Sequence, residues 1–338
     1  MNCRSRLRTG LIRALLAPLL LCAVTPAAAA DDYPFKVESR SDGRQYRLVA
    51  INGGRAPIYV KVALTKFENM DSSRPWPIRQ LVAPGQTVEL NRLYAADPAR
   101  AYSFNFKHSW LYGDPAAKPD PNAKYRLPFA DGLAFRIHQA PGGPLTTHDN
   151  IYSREAVDII MPVGTPVVAA RAGYVIVNIR PYDTGKLEPD YLDKANLVRI
   201  MHDDGTWSDY LHLQKYSSNV VAGMRVEAGT QIGLSGSSGY SSEPHLHFVV
   251  QRSDGEQAVS VPFRFWTRAG GSFAPVYMST VTADYGGNLA GTAASATIRT
   301  AAPQAQPVAA RPKPRPVKAC MGGKNVIDEA VLRCTQGL

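Results

Sequence analysis

Residues 244–250 read Pro-His-Leu-His-Phe-Val-Val, an apolar run that is broken only by His245 and His247. The side chains of a β-strand alternate between its two faces, so a strand here would present both imidazoles on one face. Such a face can offer one imidazole to a metal ion and the other to a reacting group. A zinc hydrolase is therefore the first hypothesis. The competing interpretation is a pair of partly exposed sheet histidines without a catalytic role.

The residues before this run predict further strands, at Pro166–Ala170, Tyr174–Val177, Leu197–His202, Trp207–Leu213 and Gln231–Leu234. The strands on either side of Asp204-Gly205 are predicted to form a hairpin with a two-residue turn. That register pairs Leu197 with His212 and His202 with Trp207. It places His202 and His212 on opposite faces of the sheet, so we expect His202 to have a structural role.

The N-terminal part of the chain is also predicted to be β-structure, because short apolar strands alternate there with Gly and Pro turns. Tyr46–Ile51 and Ile58–Leu64 flank Asn52-Gly53-Gly54, which is a hairpin signal. The predicted fold class is all-β. Its parts are an N-terminal β-sandwich-like domain at 31–117, a linker at 118–126 and an antiparallel β domain at 127–284.

The first 30 residues have the features of a secretory signal peptide. They hold an apolar core at Ala14–Val24, a small-residue cleavage site at Ala28-Ala29-Ala30, and a basic start formed by Arg4, Arg6, Arg8 and Arg13. The apolar core is too short to span a bilayer comfortably. We expect an exported mature chain, periplasmic or secreted, without an integral membrane segment.

The formal net charge of +10 is concentrated at the two ends of the chain. The predicted signal carries four arginines and no acidic residue, and the region after residue 285 carries seven basic and two acidic residues. The body between them is nearly neutral, so the charge does not indicate nucleic-acid binding. Residues 285–318 are rich in Pro and Ala and predict a disordered basic linker.

The C-terminal segment, residues 319–338, contains Cys320 and Cys334. These are the two cysteines that remain once the signal is removed, and in an oxidising compartment they are predicted to form a disulfide. Such a bridge would close a short segment that is too small to bury much apolar surface. One hypothesis for this end of the chain is attachment to a protein or cell-wall partner, and the other is an inert end.

The second predicted domain holds few side chains that could bind zinc. A hydrolytic zinc site uses three ligands from His, Asp or Glu and leaves one position open for water. Asp158 lies in the apolar run Ala156-Val157-Asp158-Ile159-Ile160, where a carboxylate needs a cation or a metal as a partner. The other candidates are His148, His212, His245 and His247.

From about His148 to Val250 the chain resembles the lysostaphin/LytM-type zinc metallopeptidases, which cut peptide bonds in peptidoglycan. The similarity does not cover the N-terminal domain or the C-terminal tail. It rests on four blocks, which are Ala156-Val157-Asp158 with Met161–Val167, Ala169–Gly173, Tyr210-Leu211-His212-Leu213, and Gly233–Gly236 with Pro244–Phe248. The Gly/Ser run 235–242 lies between the parts of the last block and predicts a mobile surface loop near the site.

The resemblance implies a role for each candidate residue. Asp158 and His247 match metal ligands, while His245 and His212 match the two non-ligand histidines that orient the water and stabilise the transition state. The family usually has its first histidine ligand four residues before the aspartate, where this chain has Arg154. His148 is our choice for that ligand, because a branch of the family has a longer loop.

The resemblance therefore implies an exported zinc endopeptidase that acts on peptidoglycan peptides. Zinc is the implied cofactor, and a peptidoglycan peptide is the implied substrate. The alternative is a catalytically inactive relative that binds peptidoglycan or activates an amidase. An adhesin-like binding module would not explain the four blocks.

Overall fold

The computed structural model describes residues 33–286, apart from residues 44 and 145. The predicted signal peptide, the Pro/Ala-rich tail and the Cys320–Cys334 pair lie outside the described residues. Among the described residues, no helix has the length and apolar character needed to cross a membrane.

The all-β fold class is confirmed. Within the described residues the helical structure is one 3-10 turn at Pro189–Tyr191, and the sheets are antiparallel except for one parallel pair of short strands. The larger part of the fold is a nine-stranded sheet. Its strands, in spatial order, are β15 (Arg225–Val226), β12 (Gly173–Ile179), β13 (Leu197–Met201), β14 (Trp207–Leu211), β17 (His245–Ser253), β10 (Val157–Ile160), β9 (Ala134–Gln139) and β21 (Thr280–Thr282), with β18 (Ala258–Ser260) beside β17.

Two smaller sheets pack around this one. The first pairs β11 (Pro166–Val168) with β16 (Gln231–Leu234), and the second has the order β20 (Gly271–Phe273), β19 (Phe265–Thr267) and β8 (Tyr125–Arg126). Tyr125 falls at the end of the predicted linker, and it is buried in the same hydrophobic core as β17.

The N-terminal part consists of two sheets that share one core, as a sandwich does. One sheet has the order β1 (Phe35–Ser41), β2 (Gln45–Asn52), β6 (Thr87–Ala95) and β4 (Met70–Ser72), and the other has β5 (Ile78–Val82), β3 (Ile58–Glu68) and β7 (Ser103–Tyr112). Leu48 and Leu90 from the first sheet pack with Ile58 and Val60 from the second, and all four are fully buried.

The predicted hairpin at Asn52-Gly53-Gly54 is wrong, because β2 and β3 belong to different sheets. The turn carries the chain from one layer of the sandwich to the other. The buried Asn52 amide donates to the carbonyls of Ala56 and Val82 at 2.8 and 3.0 Å. These bonds stabilise the chain where it passes from one sheet to the other.

The predicted register of the hairpin at residues 197–213 is also wrong, by one residue. Leu197 pairs with Leu211 and Met201 with Trp207. Thr206 donates its backbone N–H and its hydroxyl to one carboxylate oxygen of Asp204, at 3.1 and 2.7 Å. These bonds close a longer loop in place of the two-residue turn, and a longer loop shifts the pairing.

Strand β17 explains why the domain folds around its histidines. Leu246, Phe248 and Val250 alternate along it, and each is at most 1% exposed in the core. His245 and His247 therefore lie on the opposite face, as the alternation predicted. The apolar residues fix the strand in the sheet, and the sheet in turn fixes the direction of both imidazoles.

The N-terminal sandwich packs on the same sheet face that carries these histidines. Trp207 is 2% exposed, shares the sandwich core, and donates its indole N–H to Gln251 at 2.8 Å. Gln251 lies four residues from His247 in β17, on the same face. At about 3.3 Å per residue, the contact lies about 13 Å from His247.

Trp207→Ala is expected to lower the free energy of unfolding by about 3–5 kcal/mol, since it empties a large buried site that both parts of the fold share. Urea unfolding followed by circular dichroism measures this change. Phe67→Ala is the matched control because Phe67 is 63% exposed, and it should change the stability by no more than about 0.5 kcal/mol. Equal effects of the two substitutions would contradict the shared core.

Candidate metal centre

Asp158 and His247 are direct neighbours in the sheet. They are cross-strand partners in β10 and β17, and His245 is paired with Ile160 two residues along. His247 Nδ1 lies 2.9 Å from Asp158 Oδ1, and His245 Nε2 lies 3.9 Å from the same oxygen. Asp158 is only 5% exposed. The predicted need of this carboxylate for a partner is thus met by imidazoles.

His148 reaches the same carboxylate from a loop that follows β9. Its Nε2 lies 3.4 Å from Asp158 Oδ2, and its ring packs edge-to-face on that of His247 with centroids 4.8 Å apart. Hydrogen bonds hold this loop to the last residue of β9, Gln139. Its Oε1 accepts bonds from Thr147 N and Oγ1 at 2.7 and 3.2 Å. Gln139 is itself the β9 partner of Asp158.

The three side chains fit a zinc ion. His148, Asp158 and His247 each offer one donor atom, and these atoms lie within 4.8 Å of one another. Two ligands about 2.1 Å from a tetrahedral zinc ion are about 3.4 Å apart. Near this spacing, His148 Nε2 lies 3.4 Å from Asp158 Oδ2, and His247 Nδ1 lies 2.9 Å from the other carboxylate oxygen, Oδ1. His148 Nδ1 is buried without a hydrogen-bond partner among the described residues. Two imidazoles and one carboxylate form a donor set that zinc hydrolases use.

Each of the two other histidines of the cluster has its ring held by a backbone carbonyl. His212 Nδ1 lies 2.7 Å from the carbonyl of Ser238, and His245 Nδ1 lies 2.8 Å from the carbonyl of Glu243. A carbonyl can only accept, so each Nδ1 carries a proton, and Nε2 is the nitrogen at which each ring can gain or lose one. The two rings lie with centroids 4.5 Å apart.

The backbone of His212 is also held in an uncommon conformation. Its φ is +63°, in the left-handed region, and it follows the last residue of β14. Residues other than glycine adopt this region at a cost, and such residues cluster at functional sites.

Burial and mutual contact set the protonation of the cluster. Burial would raise the pKa of Asp158, but the hydrogen bonds with His148 and His247 outweigh it and hold that pKa well below its usual value. Burial lowers the pKa of His247 despite the opposing effect of Asp158. Burial and repulsion by His245 and His247 lower the pKa of His212 to about 3. The carboxylate is therefore ionised, and His212 and His247 are neutral.

Every predicted site residue thus lies in one cluster, although the role of each stays a prediction. Of the remaining histidines, His108 lies in β7 and His138 in β9, outside the cluster. Both ring nitrogens of His202 are engaged, by the Ala172 carbonyl at 2.8 Å and the Ser208 hydroxyl at 3.0 Å. Arg154 is exposed in the turn before β10, while His148 faces Asp158.

Part of the Gly/Ser run 235–242 is buried, where the sequence predicted a mobile surface loop, while Tyr240 in the same run is 44% exposed. Ser235, Ser238 and Ser241 are at most 4% exposed. A Cβ atom on Gly239 would lie 2.7 Å from the backbone of Ala195, so glycine allows the run to pack closely. The small side chains of this segment therefore allow it to be buried. Its Gly and Ser content, which is visible in the sequence, is the signal for this close packing.

The comparisons with known proteins match the part of the chain that holds four of the five clustered residues, all but His148. Residues 152–260 match Peptidase family M23, a match that begins four residues after His148. Over 131 residues the chain is 36% identical to the glycyl-glycine endopeptidase ALE-1 of Staphylococcus capitis, covering 38% of this chain and 33% of the relative. It is 34% identical over 141 residues to lysostaphin of Staphylococcus simulans, covering 39% and 26%.

A third relative is the peptidoglycan DD-endopeptidase ShyA of Vibrio cholerae, with 37% identity over 94 residues that cover 28% of this chain and 19% of ShyA. Among solved structures, lysostaphin from Staphylococcus simulans aligns with a TM-score of 0.29 and 29% identity, over 37% of this chain and 47% of that one. The chain spans about a third or less of the length of the curated relatives it matches. It contains a peptidase family M23 domain of the lysostaphin/LytM type.

Proposed function

We propose that this protein is an exported zinc endopeptidase that hydrolyses peptide bonds in peptidoglycan cross-links or stem peptides. One observation carries the proposal: His148, His245 and His247 come within 4 Å of the Asp158 carboxylate. The ring of His212 lies beside that of His245, with centroids 4.5 Å apart. The family match and the name of ALE-1 support a peptidase, and the name of ShyA, a peptidoglycan DD-endopeptidase, supports peptidoglycan as the substrate class. The signal-like N-terminus supports export.

In the proposed chemistry, His148, Asp158 and His247 would hold a zinc ion, which would supply Lewis acidity to a water molecule. His245 or His212 accepts the proton of the attacking water through Nε2, the nitrogen that the backbone carbonyls leave free. The same imidazole then delivers a proton to the leaving amine. While protonated, it stabilises the negative charge that develops on the carbonyl oxygen of the cleaved bond.

This reaction does not require a serine or cysteine nucleophile. The cluster instead provides two acid–base groups beside three ligands, which is the set a metal-dependent hydrolase needs. The N-terminal sandwich lies about 13 Å along the same sheet face. We propose that it helps to bound the cleft in which a peptide lies.

The purified full chain loaded with zinc is expected to release new amino termini from isolated peptidoglycan. Release should stop when a chelator removes the metal, because the three ligands then hold no Lewis acid, and it should return when zinc is added back. Quantifying free amino groups and identifying the fragments by mass spectrometry measures the reaction. Stoichiometric zinc without any cleavage would instead support the inactive relative that binds peptidoglycan or activates an amidase.

A further inference from the structure

Asn196 is a polar residue near the cluster, and it is fully buried. Its amide group donates to the carbonyl of Tyr182 at 2.6 Å and to the carbonyl of Leu213 at 2.8 Å. Its amide oxygen accepts the backbone N–H of Tyr182 at 3.0 Å. The side chain therefore joins two chain segments, one of which holds the residue that follows His212.

A second set of bonds connects Asn196 to the carbonyl that holds the His212 ring. The backbone N–H of Asn196 donates to Ser238 Oγ at 3.0 Å, and that hydroxyl donates to the Leu213 carbonyl at 2.8 Å. The carbonyl of Ser238 accepts from His212 Nδ1. Asn196, Leu213, His212 and Ser238 thus form a closed ring of bonds in which every partner is nearly or fully buried.

This ring bears on two properties of His212, which are its backbone conformation and the position of its imidazole proton. The bonds to Leu213 restrain the left-handed backbone of His212 from its C-terminal side. The placement of Ser238 keeps the proton on Nδ1 and leaves Nε2 free. In a low-dielectric interior, a buried polar group without its hydrogen-bond partner is costly. Loss of one member of the ring should therefore disturb the other members.

We infer that Asn196 is a positioning residue for His212, acting through Leu213 and Ser238 on the backbone and on the tautomer of the imidazole. The inference rests on the proposed function, in which His212 is an acid–base group. The hydrogen bonds of the Asn196 side chain go to Tyr182 and Leu213, and neither is one of the proposed metal ligands. Its effect is expected on the chemical step and not on zinc binding.

The test uses the zinc-loaded full chain and compares Asn196→Ala with Asn178→Ala. Asn178 is the matched control, because it is 4% exposed and its amide also donates to a buried carbonyl, that of Val220 at 2.6 Å. Three quantities are measured: zinc content, kcat and KM on soluble peptidoglycan fragments, and the imidazole ¹⁵N spectrum of His212.

Asn196→Ala is expected to keep its zinc, to change KM by less than about 3-fold, and to lower kcat by about 10- to 100-fold, the range for residues that orient a reacting group. The His212 signals should lose the pattern of a single Nδ1–H tautomer. Asn178→Ala should keep both kcat and the tautomer although it is also destabilised. Equal kcat and spectra in Asn196→Ala and the wild type would overturn the inference.

Ser238→Ala tests the same ring if Asn196→Ala fails to fold. It removes the hydroxyl that joins Asn196 to Leu213 and keeps the carbonyl that holds His212. A loss of about 3- to 10-fold in kcat with a mixed tautomer is expected from the loss of this hydroxyl, and unchanged values would again overturn the inference. His212→Ala distinguishes a failure of this inference from a failure of the proposed function. If His212→Ala keeps full kcat, His212 is not an acid–base group, and the proposed function is wrong at this residue.

Discussion

His212→Ala and His245→Ala are each expected to lower kcat by about 10²- to 10⁴-fold while zinc stays bound, which is the usual contribution of a positioned acid–base group. Each imidazole has its Nδ1 proton held by a backbone carbonyl, so each has a free Nε2 beside the metal ligands. Neither ring belongs to the group of three possible metal ligands, which consists of His148, Asp158 and His247. Steady-state kinetics on peptidoglycan fragments, together with zinc analysis, checks both expectations.

The double variant separates a shared role from two independent roles. If the two histidines act in one proton transfer, the loss of kcat in the double variant should be much smaller than the product of the two single losses. His108→Ala is the control, because His108 is an exposed histidine in β7 of the N-terminal sandwich and should leave kcat unchanged. Single variants that retain wild-type kcat would show that these imidazoles are not the acid–base groups.

The sequence predicted most of the cluster, because strand alternation is a local property. The apolar positions Leu246 and Phe248 face the core, and this leaves His245 and His247 on the other side. Asp158 was visible as an acid in an apolar strand. No long-range information was needed to select these residues, although their mutual distances depend on the pairing of β10 with β17.

The structural features that could not be predicted from the sequence depend on loops and on backbone groups. The register of the hairpin before His212 depends on Asp204, whose bonds to Thr206 lengthen the turn. The carbonyl of Ser238 has no side-chain signature, so its bond to His212 could not be predicted. Strand β9 was not predicted, because the apolar/polar alternation in AFRIHQ covers only Phe135 to His138, at the short limit of a strand signal.

The choice of His148 as the third ligand is the prediction that separates this chain from the common spacing of its family. His148→Ala is expected to weaken zinc binding by at least about 100-fold, because zinc sites of about 10–16 kcal/mol with four ligands lose roughly 3 kcal/mol with each one. Asp158→Asn should have an equal or larger effect, since it removes the charge that His148 and His247 share. Competition of the metal-free full chain with a chromogenic chelator gives both affinities, and cleavage of peptidoglycan should be lost in parallel.

Arg154→Ala is the decisive control for this assignment. Arg154 occupies the position four residues before Asp158, where the family usually has its histidine, but here it is exposed. Its removal should leave zinc affinity unchanged. A His148→Ala variant with wild-type affinity would exclude His148 as a ligand, and the loop tied to Gln139 would then have another role. Loss of zinc in His148→Ala alone would instead mean that this chain completes its metal site from a longer loop, held at its root by the β9 partner of Asp158.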